Sequence, residues 1–176
     1  VDDRDRDVPP GEAGEIVVKG PNVFAGYWNK PAETAAAMRG GWFHTGDMGR
    51  RDEEGFVYIV GRKVEMNISS GENIYPAEVE RVLQALPEVR EAAVVGMPDR
   101  KKGEVVAAFV LLKEGASLAE EALLEAIRAK IAYFKLPRKI IFVEDFPRNT
   151  AGKILKKDLK ARVSGGDGRH REREGL

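Results

Sequence analysis

Two apolar runs in the second half of the chain most constrain its fold. Ala92–Val95 and Val105–Leu112 have the composition of buried strands, and Ile140–Val143 is a third, shorter run of the same kind. Amphipathic segments alternate with these runs over roughly 100 residues, a size typical of one small domain. The pattern predicts an α+β fold, with a small sheet flanked by helices.

Three segments have the periodicity of helices that bury one face. They are Pro76–Leu86 with Val79, Val82, Leu83 and Leu86 on one face, a helix carrying Leu123, Leu124, Ile127 and Ile131, and a helix from about Lys153 to Val163. The second of these is predicted to begin at a capping box, Ser117-Leu118-Ala119-Glu120, in which serine and glutamate satisfy free backbone N–H groups.

The first 61 residues differ from this pattern and predict short strands and turns. Strands are expected at Glu15–Val18 and Phe56–Val60, and a short helix at Pro31–Met38 begins with proline. We expect a domain boundary at Gly61–Glu65. The final Ser164–Leu176 segment is charged and rich in glycine, which predicts a disordered tail or, alternatively, a basic recruitment tail.

Composition excludes several classes of function. The 176 residues include 29 basic and 29 acidic side chains, so net charge gives no reason to expect nucleic acid as a partner. There is no cysteine, which excludes disulfides and thiol catalysis and is compatible with a reducing compartment. No apolar run approaches the length of a membrane span, and two distant histidines do not favour a metal site.

Asp47 and Arg62 are candidates for binding a nucleotide. Asp47 follows Thr45-Gly46, and a carboxylate in such a turn can accept hydrogen bonds from a ribose diol. Arg62 follows a predicted strand, where its guanidinium could hold a ribose or a phosphate. The alternatives are a turn in which Asp47 caps its own backbone and an ordinary surface arginine.

Ser69-Ser70-Gly71-Glu72-Asn73 leads into the first predicted helix. Small residues allow a ligand to pass close to the backbone, and the alternative is a connecting loop that binds nothing.

Lys153 follows the turn Asn149-Thr150-Ala151-Gly152 at the expected start of the last helix. There a cation and free backbone N–H groups would both favour an anion, whereas the alternative is a solvated basic helix.

Tyr133-Phe134 precedes Lys135, Arg138 and Lys139. Such a group could stack on a base and hold a phosphate, or could be a loop whose aromatic residues belong to the core.

These motifs occur in an order that resembles the C-terminal part of the acyl-CoA synthetases, in the adenylate-forming superfamily. The resemblance runs from about Gly14 to Val163. It is carried by Gly26-Tyr27-Trp28 with Thr34, Trp42–Asp47, Gly61-Arg62-Lys63, Ser70–Glu80 and Pro147–Lys153. The form Gly71-Glu72-Asn73-Ile74-Tyr75-Pro76 is similar to fatty or carboxylic acid CoA ligases more than to peptide synthetases.

The resemblance implies a role for each matched residue. Asp47 would bind the ATP ribose, Arg62 would contact ribose or phosphate, and Lys153 would be catalytic in adenylate formation. Ser70 and Gly71 would line the pantetheine path of CoA, with Phe134 and Arg138 near the CoA nucleotide. No metal ligand is expected in this chain. Substrates and cofactors would be ATP, Mg²⁺, CoA and a small carboxylic acid.

The resemblance also implies a domain organisation. Residues 1–61 would be the end of the large N-terminal domain, residues 62–163 the mobile lid, and residues 164–176 a tail. The rest of the large domain, with its phosphate loop and acyl pocket, would be a missing partner. We therefore expect the chain to be inactive alone, to expose apolar surface on residues 1–61 and to form homo-oligomers.

One matched position departs from the family pattern. Val64 stands where the family's domain hinge usually has aspartate or lysine. A β-branched side chain is stiff at χ1 and offers no polar contact.

Two other functions remain open from the sequence. One is a non-catalytic module that binds CoA or nucleotide, or docks on a separate subunit. The other is the tail of a peptide-synthetase adenylation domain. The acyl-CoA synthetase interpretation predicts a cytoplasmic protein of fatty acid metabolism.

Overall fold

The computed structural model describes residues 1–164, and these divide into two compact units. The first comprises Val1–Met66 together with Tyr75–Glu78. The second comprises Asn67–Ile74 and the chain from Val79 onward.

The first unit is built on a three-stranded antiparallel sheet in the order β1-β2-β3. Two one-turn 3₁₀ helices, Arg39–Gly41 and Lys63–Glu65, precede β2 and follow β3. Its strands and helix are β1 (Ala13–Val18), α1 (Pro31–Ala37), β2 (Phe43–Arg51) and β3 (Val57–Arg62). The register shifts between Glu15 and Val17 on β1, and between Met48 and Gly49 on β2. Both irregularities lie close to Asp47, and such bulges commonly redirect a side chain.

The second unit contains a larger sheet with helices on both faces. Its elements are β4 (Asn67–Ser69), β5 (Glu72–Ile74), α2 (Pro76–Gln84), β6 (Val89–Asp99), β7 (Gly103–Leu112), α3 (Glu120–Arg128), β8 (Lys139–Phe142) and α4 (Lys156–Ser164). The first residues of α2 belong to the first unit. β6 pairs with β7 antiparallel, and β8 pairs with β7 parallel. The β4–β5 hairpin joins this sheet through the single pair Ser69–Gly103, giving five strands.

Strand β7 is at the centre of the second unit because both of its faces are buried. Val106, Ala108 and Val110 face a cluster that includes Val79 and Leu83 of α2 and Leu123 and Ile127 of α3. The alternate residues Ala107, Phe109 and Leu111 face a second cluster with Phe146 and Leu159 of α4. The two-residue period of a strand therefore supplies two cores.

The predicted α+β fold is confirmed. Strands β6, β7 and β8 form the three-stranded sheet between helices, and the short β4–β5 hairpin adds to its edge. The preceding β segment is itself a three-stranded sheet, with a register shift in each of its two strand pairs. The helix predicted at Pro31–Met38 and the strands at both ends of the first unit are also present.

The predicted capping box at Ser117 is wrong. Leu118 packs against the core, the chain stays extended through Ala119, and α3 begins at Glu120 without a side-chain cap. Burial of Leu118 therefore competes with an earlier helix start.

Within residues 1–164, no helix is long and apolar enough to cross a membrane. Ser164 is the last residue of α4, so the predicted disordered tail is otherwise outside the described residues.

Candidate functional site

Asp47 and Arg62 lie directly opposite each other on β2 and β3. Arg62 Nη1 donates to Asp47 Oδ1 at 2.8 Å, and both side chains keep substantial solvent exposure, 52% for Arg62 and 33% for Asp47. The turn in which Asp47 caps its own backbone is not present, because Asp47 lies within a strand. The sheet thus presents an accessible carboxylate and guanidinium side by side, a pairing that can both accept from hydroxyls and donate to anions.

The residues before Asp47 fix its backbone. The Thr45 hydroxyl donates to Ile16 O at 2.7 Å and accepts the Asp47 N–H at 3.0 Å. Gly46 has φ +72°, a left-handed conformation that costs glycine little. Any Cβ at Gly46 would also lie 3.6 Å from Arg62 Nη2. The Thr-Gly-Asp sequence therefore has a structural reason independent of any ligand.

Glu15 is a buried charged residue beside this pair, and our sequence analysis did not select it. Its side chain is 6% exposed and contacts Lys63, His44 and the Gly46 N–H. Burial acts to raise the pKa of the Glu15 carboxyl, but the hydrogen bonds from Lys63 and His44 outweigh it and hold the pKa below its usual range. Glu15 is therefore ionised at neutral pH.

Ser70 and Gly71 form the tip of the β4–β5 hairpin rather than a loop leading into a helix. Both have positive φ, 52° and 87°, and the flanking residues Ser69 and Glu72 pair across the hairpin. Two left-handed central residues define the type I′ turn that suits the twist of a two-residue hairpin. The Ser70 N–H donates to Lys102 O at 2.9 Å, which ties the tip to the turn before β7.

Arg138 and the aromatic pair meet at a one-turn 3₁₀ helix, Tyr133–Lys135. The Arg138 guanidinium lies 5.5 Å from the centre of the Tyr133 ring, whereas the Lys135 ammonium lies 5.6 Å from that of Phe134. Both rings are exposed, so the alternative that they belong to the core is wrong. The second unit thus carries an exposed surface of cations on aromatic faces.

The prediction that Lys153 lies at the start of a helix is wrong, because α4 begins at Lys156. Instead, Arg148 and Ile154 form a β-bridge, and the Asn149 N–H donates to Lys153 O at 2.9 Å. The Asn149 side chain accepts the N–H groups of Ala151 and Lys153. The Lys153 backbone is therefore already hydrogen-bonded, and an exposed ammonium on a closed turn is what remains for a ligand.

Arg148 holds this turn against β6. Its guanidinium makes two hydrogen bonds to the Glu91 carboxylate and a third, at 3.1 Å, to Gly152 O. A bidentate pair of this kind fixes direction as well as distance. Our sequence analysis gave no separate role to Arg148 or Glu91, whose contact joins residues 57 positions apart.

Val64 lies in the one-turn 3₁₀ helix Lys63–Glu65, two residues before the last residue of the first unit's main segment. Its side chain is 88% exposed. An apolar side chain this exposed contributes little to the core of the unit.

Within the described part of the chain, no group of three or more His, Asp or Glu side chains could hold a metal ion.

Comparison with known proteins connects these features to one enzyme class. The chain is 54% identical over 151 residues to the 2-succinylbenzoate--CoA ligase of Geobacillus kaustophilus, covering 86% of the chain and 31% of that protein. It is 47% identical over 164 residues to the indoleacetate--CoA ligase of Aromatoleum aromaticum, covering 93% and 32%. The chain thus spans about a third of the length of these curated relatives.

A solved structure shows the same fold. The o-succinylbenzoate CoA synthetase of Bacillus subtilis, in complex with its acyl-adenylate intermediate, matches with a TM-score of 0.82 at 42% identity. The match covers 87% of this chain and 31% of that one.

By fold and by sequence the chain is similar to adenylate-forming CoA ligases, and the resemblance to their C-terminal part that the ordered motifs predicted is confirmed. Residues 78–153 match the sequence model of the AMP-binding enzyme C-terminal domain, so this part of the chain is similar to that domain.

Proposed function

We propose that the chain is the C-terminal part of an ATP-dependent acyl-CoA synthetase. The complete enzyme would convert a carboxylic acid and ATP to acyl-AMP and pyrophosphate, and then acyl-AMP and CoA to acyl-CoA and AMP. The observation that carries this proposal is the 54% identity to a CoA ligase across 86% of the chain.

The proposal divides the chain between two parts of the enzyme. Residues 1–61 would complete the large domain, and residues 62–163 would form the mobile lid, with Val64 at the hinge. A missing N-terminal domain would supply the rest of the nucleotide site and the acyl pocket.

In the first half-reaction, Asp47 would accept hydrogen bonds from the ribose hydroxyls, with Arg62 beside it at 2.8 Å. Lys153 would bring its ammonium to the α-phosphate as the substrate carboxylate attacks. A fixed cation aimed at developing negative charge lowers the barrier most where water is excluded. The hydrogen-bonded turn Asn149–Lys153 supports this role, because its contacts fix the Lys153 backbone before substrate binds.

In the second half-reaction, the CoA thiol would attack the acyl carbonyl and release AMP. Ser70 and Gly71 would lie along the pantetheine arm, where a hairpin tip with one short side chain allows a close approach. Phe134 and Arg138 would contact the CoA nucleotide through stacking and a charge-assisted hydrogen bond.

Mg²⁺ would arrive with the ATP phosphates and neutralise part of their charge. The proposed substrate is a carboxylic acid as a class. The two relatives are named for 2-succinylbenzoate and indoleacetate, which gives no support to the narrower expectation of fatty acid metabolism. A cytoplasmic location belongs to the proposal as well.

Release of pyrophosphate that depends on an added carboxylic acid tests the proposal. The chain would be incubated with ATP, Mg²⁺ and a panel of carboxylic acids, first alone and then joined to the N-terminal part of the Geobacillus kaustophilus ligase. We expect release only from the joined protein. Release from the chain alone would contradict the division of the site, whereas calorimetric CoA binding without any release would favour a binding module.

A further inference from the structure

Glu15 connects the two residues that flank the Asp47–Arg62 pair. Its Oε1 accepts the N–H of Gly46, the residue before Asp47, at 3.2 Å. Its Oε2 accepts from the ammonium of Lys63, the residue after Arg62, at 3.1 Å. One carboxylate on β1 therefore contacts both β2 and the residue that directly follows β3.

The burial of Glu15 makes this arrangement informative. A carboxylate removed from water is unfavourable unless charges and hydrogen bonds compensate for it. Here the compensation comes from Lys63, from His44 Nδ1 at 3.3 Å and from Arg39 Nη2 at 3.9 Å. An apolar residue at this position would avoid the desolvation cost, but it could not bind the Gly46 N–H or the Lys63 ammonium.

The strand register explains why such a connection is useful. Asp47 faces Arg62, but the pairing of β2 with β3 shifts at the next step, between Met48 and Gly49. Gly46, on the other side of Asp47, has a left-handed backbone. The pair thus lies between two irregular points, where backbone pairing alone fixes its position poorly.

We propose that Glu15 is a positioning residue that sets the spacing of Asp47 and Arg62 for a ribose diol. This inference rests on the proposed function, because it takes Asp47 as the ribose ligand. Glu15 touches neither substrate nor reacting atoms, and it acts through Gly46 and Lys63.

The test compares ATP with 2′,3′-dideoxy-ATP, which lacks the diol. Dissociation constants for both nucleotides would be measured by calorimetry on the chain joined to the N-terminal part of the Geobacillus kaustophilus ligase, and on variants of this joined protein. In the parent, ATP should bind more tightly, and E15Q should reduce that preference about tenfold, the effect of losing one hydrogen bond to a charged group. General destabilisation would weaken both nucleotides alike and leave the preference unchanged.

Three further variants separate the explanations. E12Q makes the same chemical change at an exposed position just before β1 and should keep the preference. K63M removes the ammonium from the partly exposed end of the contact, so it tests the proposal even if E15Q does not fold. If Glu15 acts through Lys63, the double variant E15Q/K63M should lose little more of the preference for ATP over 2′,3′-dideoxy-ATP than E15Q or K63M alone.

D47N distinguishes failure of this inference from failure of the proposed function. If D47N removes the preference while E15Q and K63M retain it, Glu15 has no positioning role. If D47N retains it, Asp47 is not the ribose ligand, and the inference fails with the proposed function. As an independent measurement on the 176-residue chain, E15Q should shift the NMR signals of Gly46, Asp47 and Arg62; unchanged signals at Asp47 and Arg62 would overturn the proposal.

Discussion

At the scale of single residues, Lys153 depends on its neighbours for direction. Asn149 accepts the Lys153 N–H, and Arg148 holds the Gly152 carbonyl. The lysine therefore stands on a closed turn that has few other conformations. Its exposed side chain is the part that can reach a ligand, as the proposed role requires.

Lys153→Ala should remove most adenylate formation in the complete ligase. Loss of a comparable charge-stabilising donor costs about 10²–10³ in rate. CoA attack on preformed acyl-AMP should be spared, because the proposed role of Lys153 ends with the first half-reaction. Pyrophosphate release and thioester formation would be measured separately, with Lys157→Ala as an exposed control on α4. Equal loss of both half-reactions would contradict this role.

The buried carboxylate of Glu15 should make the stability of the folded protein depend on pH in the acidic range. Its pKa is lower in the folded state than its ordinary value of 4.5, so the folded protein binds this proton less readily than the unfolded chain. The contribution of Glu15 is therefore complete above pH 4.5 and is lost as pH falls through the lower folded-state pKa. The difference in thermal midpoint between the parent and E15Q should shrink from pH 6 to pH 3; a constant difference would contradict the charged contacts.

Glu15 also shows where sequence reasoning stops. In a half-buried strand an acidic residue normally faces water, so nothing in Gly14-Glu15-Ile16 indicates a buried charge. The partners that make it tolerable are Lys63 and His44, 48 and 29 positions away. By contrast, Asp47 and Arg62 could be selected from their motifs, although their 2.8 Å contact could not.

At the scale of elements, the β4–β5 hairpin has an unusual residue at its tip. Ser70 adopts φ +52°, which is costly for a residue with a Cβ, whereas Gly71 at φ +87° is not strained. A Cβ at Gly71 would meet no atom within 4 Å, so any effect of adding one comes from the backbone conformation.

Ser70→Gly and Gly71→Ala should therefore change stability in opposite directions. We expect Ser70→Gly to raise the free energy of unfolding by about 0.5 kcal/mol, because the strain relieved exceeds the added chain entropy. Gly71→Ala should lower it by about 1 kcal/mol. Urea unfolding of both variants beside the parent provides the measurement, and a stabilising Gly71→Ala would show that the turn is not type I′.

Helix faces and buried strands were predictable because helical spacing and apolar runs are local features of the sequence. Val79 and Leu83 recur at helical spacing, and β7 alternates between its two cores. The starts of α3 and α4 were not predictable, because tertiary contacts decide them. Leu118 packs against the core just before α3. The β-bridge between Arg148 and Ile154 keeps the chain extended before α4.

At the scale of the whole chain, the first unit exposes apolar side chains as predicted. Among the described strands, β3 pairs with β2 alone. Four consecutive apolar residues are exposed there: Phe56, directly before β3, and Val57, Tyr58 and Ile59 within it. An exposed apolar edge strand can pair with another chain.

The isolated chain should therefore self-associate, and Ile59→Lys should weaken this association. A charge on an edge strand opposes pairing because it would have to be desolvated in the contact. Sedimentation velocity over a range of concentrations would measure the change. Ala36→Lys adds the same charge on the exposed surface of α1 and should leave association intact; an equal effect of both substitutions would point to net charge instead.

Gly96 on β6 has a consequence for how relatives of this protein can diverge. A Cβ at Gly96 would lie 2.4 Å from Asn67 Oδ1 and 2.7 Å from Glu104 Oε2. Asn67 is buried, and among the described residues its Nδ2 has no hydrogen-bond partner, so the amide already occupies an unfavourable place. Alanine at position 96 thus requires both the Asn67 amide and the Glu104 carboxylate to move or to be replaced. We therefore expect position 96 to vary together with positions 67 and 104 among relatives of this protein.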